Sequence, residues 1–178
     1  FTVVATPPCV DATAQVFVSL AAEAQPGQDA ALTLCVSGGP ADLFNSLGGT
    51  PAPGGTWAAP DGMPHLGVFQ PGVDVAGQYV YSVAGEAPCP SLSASVAVTV
   101  ANEPNAGLDA ATTLCTTGNT VDLFGLLGGM PEAGGSWTTP SGTVFNGQLD
   151  PAVHPSGDYT YQIIAPPPCT SDAAIVSV

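Results

Sequence analysis

The sequence predicts an all-β chain, built from antiparallel β-sandwich repeats of 80 residues. Three observations lead there. The stretch from Asp42-Leu43-Phe44 to Gly54-Gly55-Thr56-Trp57 returns 80 residues later, from Asp122-Leu123-Phe124 to Gly134-Gly135-Ser136-Trp137, without insertion or deletion. Short runs rich in β-branched and aromatic residues alternate with turn signals about every 8–12 residues. Gly and Pro, 22 and 19 residues of a chain that is still 45% hydrophobic, recur at matched positions as turn residues do.

The period reaches beyond those stretches. Cys9, Cys89 and Cys169 are spaced by 80 residues, as are Phe1, Tyr81 and Tyr161. A gap-free alignment of residues 21–98 on 101–178 has about 35 identities. The sequence reads as a window from a longer array, with 1–20 the C-terminal hairpin of a preceding repeat and 21–100 and 101–178 two full repeats. In a permuted division, the hairpin of one copy completes the sandwich of the next and the domains become 1–78 and 81–158. The first division is preferred because it keeps the linker-like residues outside the domains. Phe1-Thr2-Val3-Val4 has neither the basic start nor the cleavage site of a signal peptide, and no apolar run has the length of a membrane span.

In chain order, Phe1–Val4 and Gln15–Leu20 read as the two strands of the first hairpin, joined through Pro7-Pro8-Cys9. Ala21 to Gly27 reads as a linker, and Asn102 to Gly107 as its counterpart. Ala31–Val36 alternates as a strand does. Asp42 is a candidate N-cap for one helical turn, Leu43 to Leu47, ended by Gly48-Gly49. Leu43 and Leu47, at i and i+4, face the core together. Thr56–Ala59 and Gly67–Pro71 are short strands around the Pro60-Asp61-Gly62 turn. Gln78–Ala84 places Tyr79, Tyr81 and Val83 on one face. Ala94–Val100 does the same with Ala94, Val96, Val98 and Val100. The second copy repeats this through Thr112–Cys115, Ser136–Thr139, Asp158–Ile164 and Ala174–Val178. The expected structural core comprises Trp57, Trp137, Leu43, Phe44, Leu123, Phe124, Tyr79, Tyr81, Tyr159 and Tyr161.

Charge excludes several functions. The chain has 14 acidic residues and no Lys or Arg, a formal charge of −14. Phosphate contacts cannot be built, so nucleic acid is not a partner, nor is an anionic lipid surface. No Schiff-base lysine, arginine finger, P-loop lysine or Lys–Asn crosslink is available. Trypsin has no site.

Five cysteines are an odd number, and two pairings respect the period. Within a repeat, Cys35–Cys89 and Cys115–Cys169 pair, and Cys9 pairs outside the window. Across repeats, Cys9–Cys35 and Cys89–Cys115 pair, and Cys169 is left for the next copy. The first is favoured because it sets Trp57 and Trp137 between bonded cysteines, as in Ig-like cores. Closing such a loop constrains the unfolded chain by about 4 kcal/mol. Zinc is disfavoured, since no Cys-x-x-Cys or His partner recurs.

The ordered set Ala106-Gly107-Leu108-Asp109, Thr-x-Cys, Asp-Leu-Phe, Gly-Gly-x-Trp, Gly-x-Tyr-x-Tyr and Pro-Cys resembles the tandem surface repeats of Bacteroidota-type bacteria. Those repeats are similar to Ig-like and PKD-like sandwich modules of very large secreted adhesins, including those of gliding motility, which leave by the type IX route. The resemblance covers the whole chain and names no ligand. It implies tandem Ig-like sandwiches at an extracellular bacterial surface. The first copy departs from it with Gln25-Pro26-Gly27-Gln28-Asp29.

Candidate sites are few. Glu23, Asp29, Glu103 and Asp109 lie near linkers and could supply oxygen ligands for Ca²⁺ between domains, although no Asp-x-Asp-x-Asp loop exists. Solvated or capping carboxylates are the simpler reading, and no other cofactor is expected. Trp57 and Trp137 could stack on a sugar, but core packing is the simpler role. His65 aligns with Phe145 and His154 with Asp74, so no general base recurs, which argues against an enzyme. The expected function is a disulfide-stapled spacer in a surface fibre or giant adhesin. Its partners would be neighbouring repeats of the same chain and other copies in a fibre. The rival readings are a glycan-binding repeat module working through copy number and the subunit of a laterally assembled filament or sheath.

Overall fold

A computed structural model describes residues 1–178. The first hairpin is small: β1 (Thr2–Val3) pairs antiparallel with β2 (Ala12–Thr13). The strand expected over Gln15–Leu20 is not formed. Val16, Phe17, Val18 and Leu20 are each more than 80% exposed, whereas Val96 and Val98, one period later, are core residues. A strand of this composition needs a sheet and an apolar layer to bury it, and a lone hairpin supplies neither.

The first unit comprises β3 (Ala30–Cys35), β4 (Ala41–Asp42), a 3-10 turn (Phe44–Ser46), β5 (Thr56–Ala58), β6 (Pro64–His65), β7 (Val68–Phe69), β8 (Gly77–Val83) and β9 (Leu92–Ala101). The second has the same order: β10 (Ala110–Ala111), β11 (Val121–Asp122), a 3-10 turn (Phe124–Leu126), β12 (Ser136–Thr138), β13 (Val144–Phe145), β14 (Gln148–Leu149), β15 (Asp158–Ile163) and β16 (Asp172–Ser177). Each unit is a β-sandwich. A five-stranded sheet, ordered β3-β9-β8-β5-β6 in the first unit and β10-β16-β15-β12-β13 in the second, faces a two-stranded sheet, β4-β7 or β11-β14.

The period-2 alternation of β8 and β9 builds the core. Tyr79 and Tyr81 point inward from β8, and Ala94, Val96 and Val98 from β9. Trp57 joins them from β5. Phe69 closes the opposite layer, together with Leu43 and Leu47 on either side of the 3-10 turn. The second core is the same set displaced by one period, with Leu149 in place of Phe69, Ala106 added, and Val178, the counterpart of Val98, only partly buried against it. Phe44 and Phe124 are half-buried and meet Tyr81 and Tyr161 edge-on, with ring centroids 5.4 Å apart. Asp42 Oδ1 accepts the Phe44 N–H at 2.9 Å, and Asp122 Oδ1 the Phe124 N–H at 3.1 Å. The N-caps of the two 3-10 turns are Leu43 and Leu123, without side-chain caps; the aspartates expected there stand one residue earlier and bond the first N–H of a turn that starts one residue later than the sequence suggests.

One pairing departs from an antiparallel sandwich. β3 lies parallel to β9, from Ala30↔Val96 to Cys35↔Ala101, and β10 lies parallel to β16. Asp29 pins the start of β3 by accepting the Ser95 N–H at 2.7 Å and the Ser95 hydroxyl at 3.0 Å. Asp109 does the same for β10 through the Ile175 N–H at 2.8 Å. β10 covers only Ala110–Ala111, paired with Val176 and Ser177, so the strand expected over Thr112–Cys115 is not formed. The linker-like stretch is fastened too. The Ala106 N–H donates to Asp172, and the Glu132 N–H donates to the Asn105 carbonyl at 2.8 Å.

This parallel register overturns both expected cysteine pairings. Cys35 is bonded to Cys169, 134 residues away, with their Cα atoms 5.0 Å apart. Cys9, Cys89 and Cys115 are free. Cys35 stands opposite Ala101, the last residue of β9. Cys89 precedes Leu92, the first residue of that ten-residue strand. The two sulfurs of the favoured Cys35–Cys89 pair are therefore separated by the length of β9, about 30 Å. Cys115 and Cys169 stand in the same relation at opposite ends of β16. The joint-spanning alternative, Cys9–Cys35 and Cys89–Cys115, is not formed either. Cys35 takes the turn cysteine of the unit that follows it, not that of the hairpin before it.

Tyr81 is a tie within the sandwich as well as a core filler. Its hydroxyl accepts the Gly55 N–H at 2.8 Å and donates to the Ala52 carbonyl at 2.7 Å. Tyr161 repeats this with Gly135 and Glu132. Gly55 has no alternative here, since a Cβ would fall 2.5 Å from the Ser82 carbonyl oxygen and 2.6 Å from the Tyr81 ring. Replacing Tyr81 with Phe strands both backbone groups. Tyr81→Phe is expected to cost about 1–3 kcal/mol in urea unfolding, with Tyr161→Phe costing a similar amount in the second unit.

Candidate functional site

The junction between the two units is the most elaborated place in the molecule. β9 runs out of the first sandwich to Ala101, whose carbonyl accepts the Val36 N–H at 2.9 Å. The turn between β15 and β16 reaches back to the same point and sets Cys169 Sγ 3.5 Å from the Ala101 oxygen. Cys35 and Cys169 are buried where they bond. The Ser37 hydroxyl donates to the Glu103 carboxylate, a second side-chain link across the junction. Elements from both units thus converge on one strand end. Glu103 was a calcium candidate in the sequence, whereas the roles of Ala101 and Ser37 had no sequence signal. They follow from the parallel strand, which brings Cys35 to the end of β9.

The other three calcium candidates are placed separately. Asp29 and Asp109 pin β3 and β10, and Glu23 lies in the segment before β3. Nowhere do three His, Cys, Asp or Glu side chains converge as metal ligands would. The aspartates bond to backbone instead. Asp11, Asp29, Asp42, Asp61, Asp74, Asp109, Asp122, Asp150 and Asp172 each accept a main-chain N–H. Asp158 accepts the Ser177 hydroxyl.

The tryptophans line a shallow groove present in both units. In the first it is formed by Asp42, Phe44, Pro53, Gly54, Gly55, Trp57 and Tyr81, and encloses about 290 Å³. Its counterpart around Phe124, Trp137 and Tyr161 encloses about 310 Å³. Trp57 packs on Tyr81 with ring centroids 5.1 Å apart. Gly67, at φ +79°, passes so close that a Cβ would lie 2.7 Å from the indole. Trp57 is 9% exposed and Trp137 6%, which leaves little ring face for a sugar to stack on.

His65 is the cross-strand partner of Trp57, one strand over on β6. His65 Nδ1 accepts the Gly67 N–H at 3.1 Å, so Nε2 carries the proton and faces Asp74 Oδ2 at 3.6 Å. His65 also packs on Tyr79, with centroids 4.8 Å apart. The surrounding pocket is lined by Ala59, Pro60, Asp61, Val73 and Val75, with no Ser or Cys to serve as a nucleophile. In the second unit Phe145 and His154 occupy the two positions and again touch, with centroids 5.1 Å apart. Asp74 and His154 share one job. Asp74 Oδ2 accepts the Gln70 N–H at 2.7 Å, and His154 Nδ1 accepts the equivalent Asp150 N–H at 2.9 Å.

Burial raises the phenol pKa of Tyr79 above its ordinary 10.0, and the charges of Asp74 and Asp61 raise it further. Burial alone raises that of Tyr159. Both hydroxyls donate to main-chain carbonyls, those of Val75 at 2.8 Å and Pro155 at 2.7 Å, which requires the proton.

Two outcomes follow from these placements. A phenol held neutral in the fold ionises at lower pH when unfolded, so the unfolded chain releases its proton first as pH rises. Stability due to Tyr79 and Tyr159 is complete below pH 10 and falls as pH climbs through their raised values. Absorbance titration at 295 nm should show a late class of phenols whose ionisation coincides with loss of β-sheet dichroism. Because Asp and His serve the same N–H, His154→Asp should keep the urea midpoint of the second unit close to the parent. His154→Ala should lower its stability by about 1 kcal/mol. Searches against protein-family models and against curated proteins return no match to this chain.

Proposed function

We propose that this chain is a structural segment of an extracellular bacterial surface protein, a spacer that holds successive β-sandwich units in fixed relation. The observation that carries the proposal is the Cys35–Cys169 bond, which joins one unit to the next. A bond of this kind persists in oxidising, extracytoplasmic settings. The surface agrees with such a setting. It has no Lys or Arg, so it offers trypsin-like proteases no cleavage site and resists association through self-repulsion. The resemblance to adhesin repeats supplies the larger context, a stalk or fibre that sets a binding tip away from the cell. Spacing is preferred to glycan binding because the two indoles are used inside the sandwich.

Small-angle scattering tests the spacer reading. The oxidised protein should give one well-defined maximum dimension. In Cys35→Ser/Cys169→Ser, far-ultraviolet dichroism should be retained while the distance distribution broadens and the thermal midpoint falls. The chain-entropy account gives the bond about 5 kcal/mol for a loop of this length. Identical scattering from the two proteins would sink the proposal.

A further inference from the structure

Two of the three free cysteines stand in places already shaped like halves of the Cys35–Cys169 joint. Cys89 is the equivalent of Cys169, one period earlier. Its Sγ lies 3.7 Å from the carbonyl oxygen of Ala21, itself the equivalent of Ala101. The bonded pair shows the same approach, with Cys169 Sγ 3.5 Å from the Ala101 oxygen. The turn between β8 and β9 has therefore docked on the incoming chain just as the later turn docks on the end of β9.

At the other side, Cys115 is the equivalent of Cys35. The backbone that follows it is folded in the same way: the Gly118 N–H donates to the Cys115 carbonyl at 2.8 Å, and the Gly38 N–H donates to the Cys35 carbonyl at 2.8 Å. Cys35 is buried by the turn that caps it, while Cys115 is exposed.

We propose that Cys89 and Cys115 are the open halves of two further joints, and that the partner of each is another copy of this 80-residue unit placed in series. Cys115 bonds to the turn cysteine of the copy that follows. Cys89 bonds to the first-strand cysteine of the copy that precedes, and Cys9, in the earlier hairpin turn, pairs one step further back. This rests on the spacer reading and deepens it by assigning a covalent partner to each thiol. Each bond forms when two thiols lose two protons and two electrons to a disulfide-donating oxidant, which leaves as two thiols. Every such bond spans 134 residues against a period of 80. Successive loops therefore overlap, and every peptide bond inside the array lies within at least one closed ring.

The test extends the full chain by one unit. A copy of residues 99–178 is joined after Val178, which keeps the period, and carries Thr170→Ser as a mass mark. The protein is folded with oxidised and reduced glutathione, digested with pepsin at low pH and mapped by mass spectrometry. Cys115 should be linked to the marked copy's Cys169, whereas in the 178-residue chain Cys115 is fully alkylated. In the extended chain with Cys115→Ser, the marked Cys169 should be recovered as a free thiol. The Cys35–Cys169 link is the internal control. If it is present while Cys115 is free or bonded to any cysteine other than the marked Cys169, the ladder is overturned and the spacer reading stands. If the Cys35–Cys169 link is itself missing, both fail.

Discussion

Parallel docking of the first strand on the last decides the geometry of each unit. It places the end of β3 beside the end of β9, at the point where the chain leaves one sandwich for the next. The cysteine at the end of β3 is then a residue of the junction, although its sequence position is near the start of the unit. Had β3 run antiparallel to β9, Cys35 would have met the turn at Cys89 and closed the unit on itself. Strand direction thus determines whether a sulfur pair seals one sandwich or joins two. Asp29 and Asp109 give the starts of β3 and β10 a fixed partner on the neighbouring strand.

Most of the sandwich was legible because its signals are local. The alternation around Tyr79 and Tyr81, the glycine pairs, and the aspartate two residues before Phe44 all act within a few positions, and the 80-residue period displays them twice. The sulfur pairing was not legible, because periodicity gives the spacing of cysteines but carries no strand direction. Two pairings obeyed the period and the odd count; the observed one obeys both as well, yet neither scheme paired Cys35 with Cys169. Gln15–Leu20 shows the converse limit. Its composition is that of a buried strand, yet burial requires a facing layer, and the residues that face Val96 and Val98 in the first unit have no counterpart beside Val16 and Val18.

A chain without cations handles its negative charge in an unusual way. Its carboxylates have no lysine or arginine to meet, and the one imidazole–carboxylate contact is that of His65 with Asp74. Main-chain N–H groups take that place for nine of the ten aspartates. Charge is spread along turns and strand starts, where a carboxylate and a backbone donor form a short-range pair that ionic strength screens less than a surface salt bridge. The shared role of Asp74 and His154 belongs to the same pattern, since what the fold requires there is an acceptor for one N–H and not a charge.

The Cys35–Cys169 bond also changes how the chain would carry a pull. Tension applied at the two termini crosses through sulfur from the end of β3 to the turn before β16, and residues 36–168 hang outside the load path. Strands β4 to β15 are then shielded from direct stretching while the bond is intact. An oxidised segment would lengthen by little before a covalent bond had to break, whereas the reduced one could pay out most of its contour. The compartment's redox state would therefore set whether this stretch of protein behaves as a stiff link or as an extensible tether.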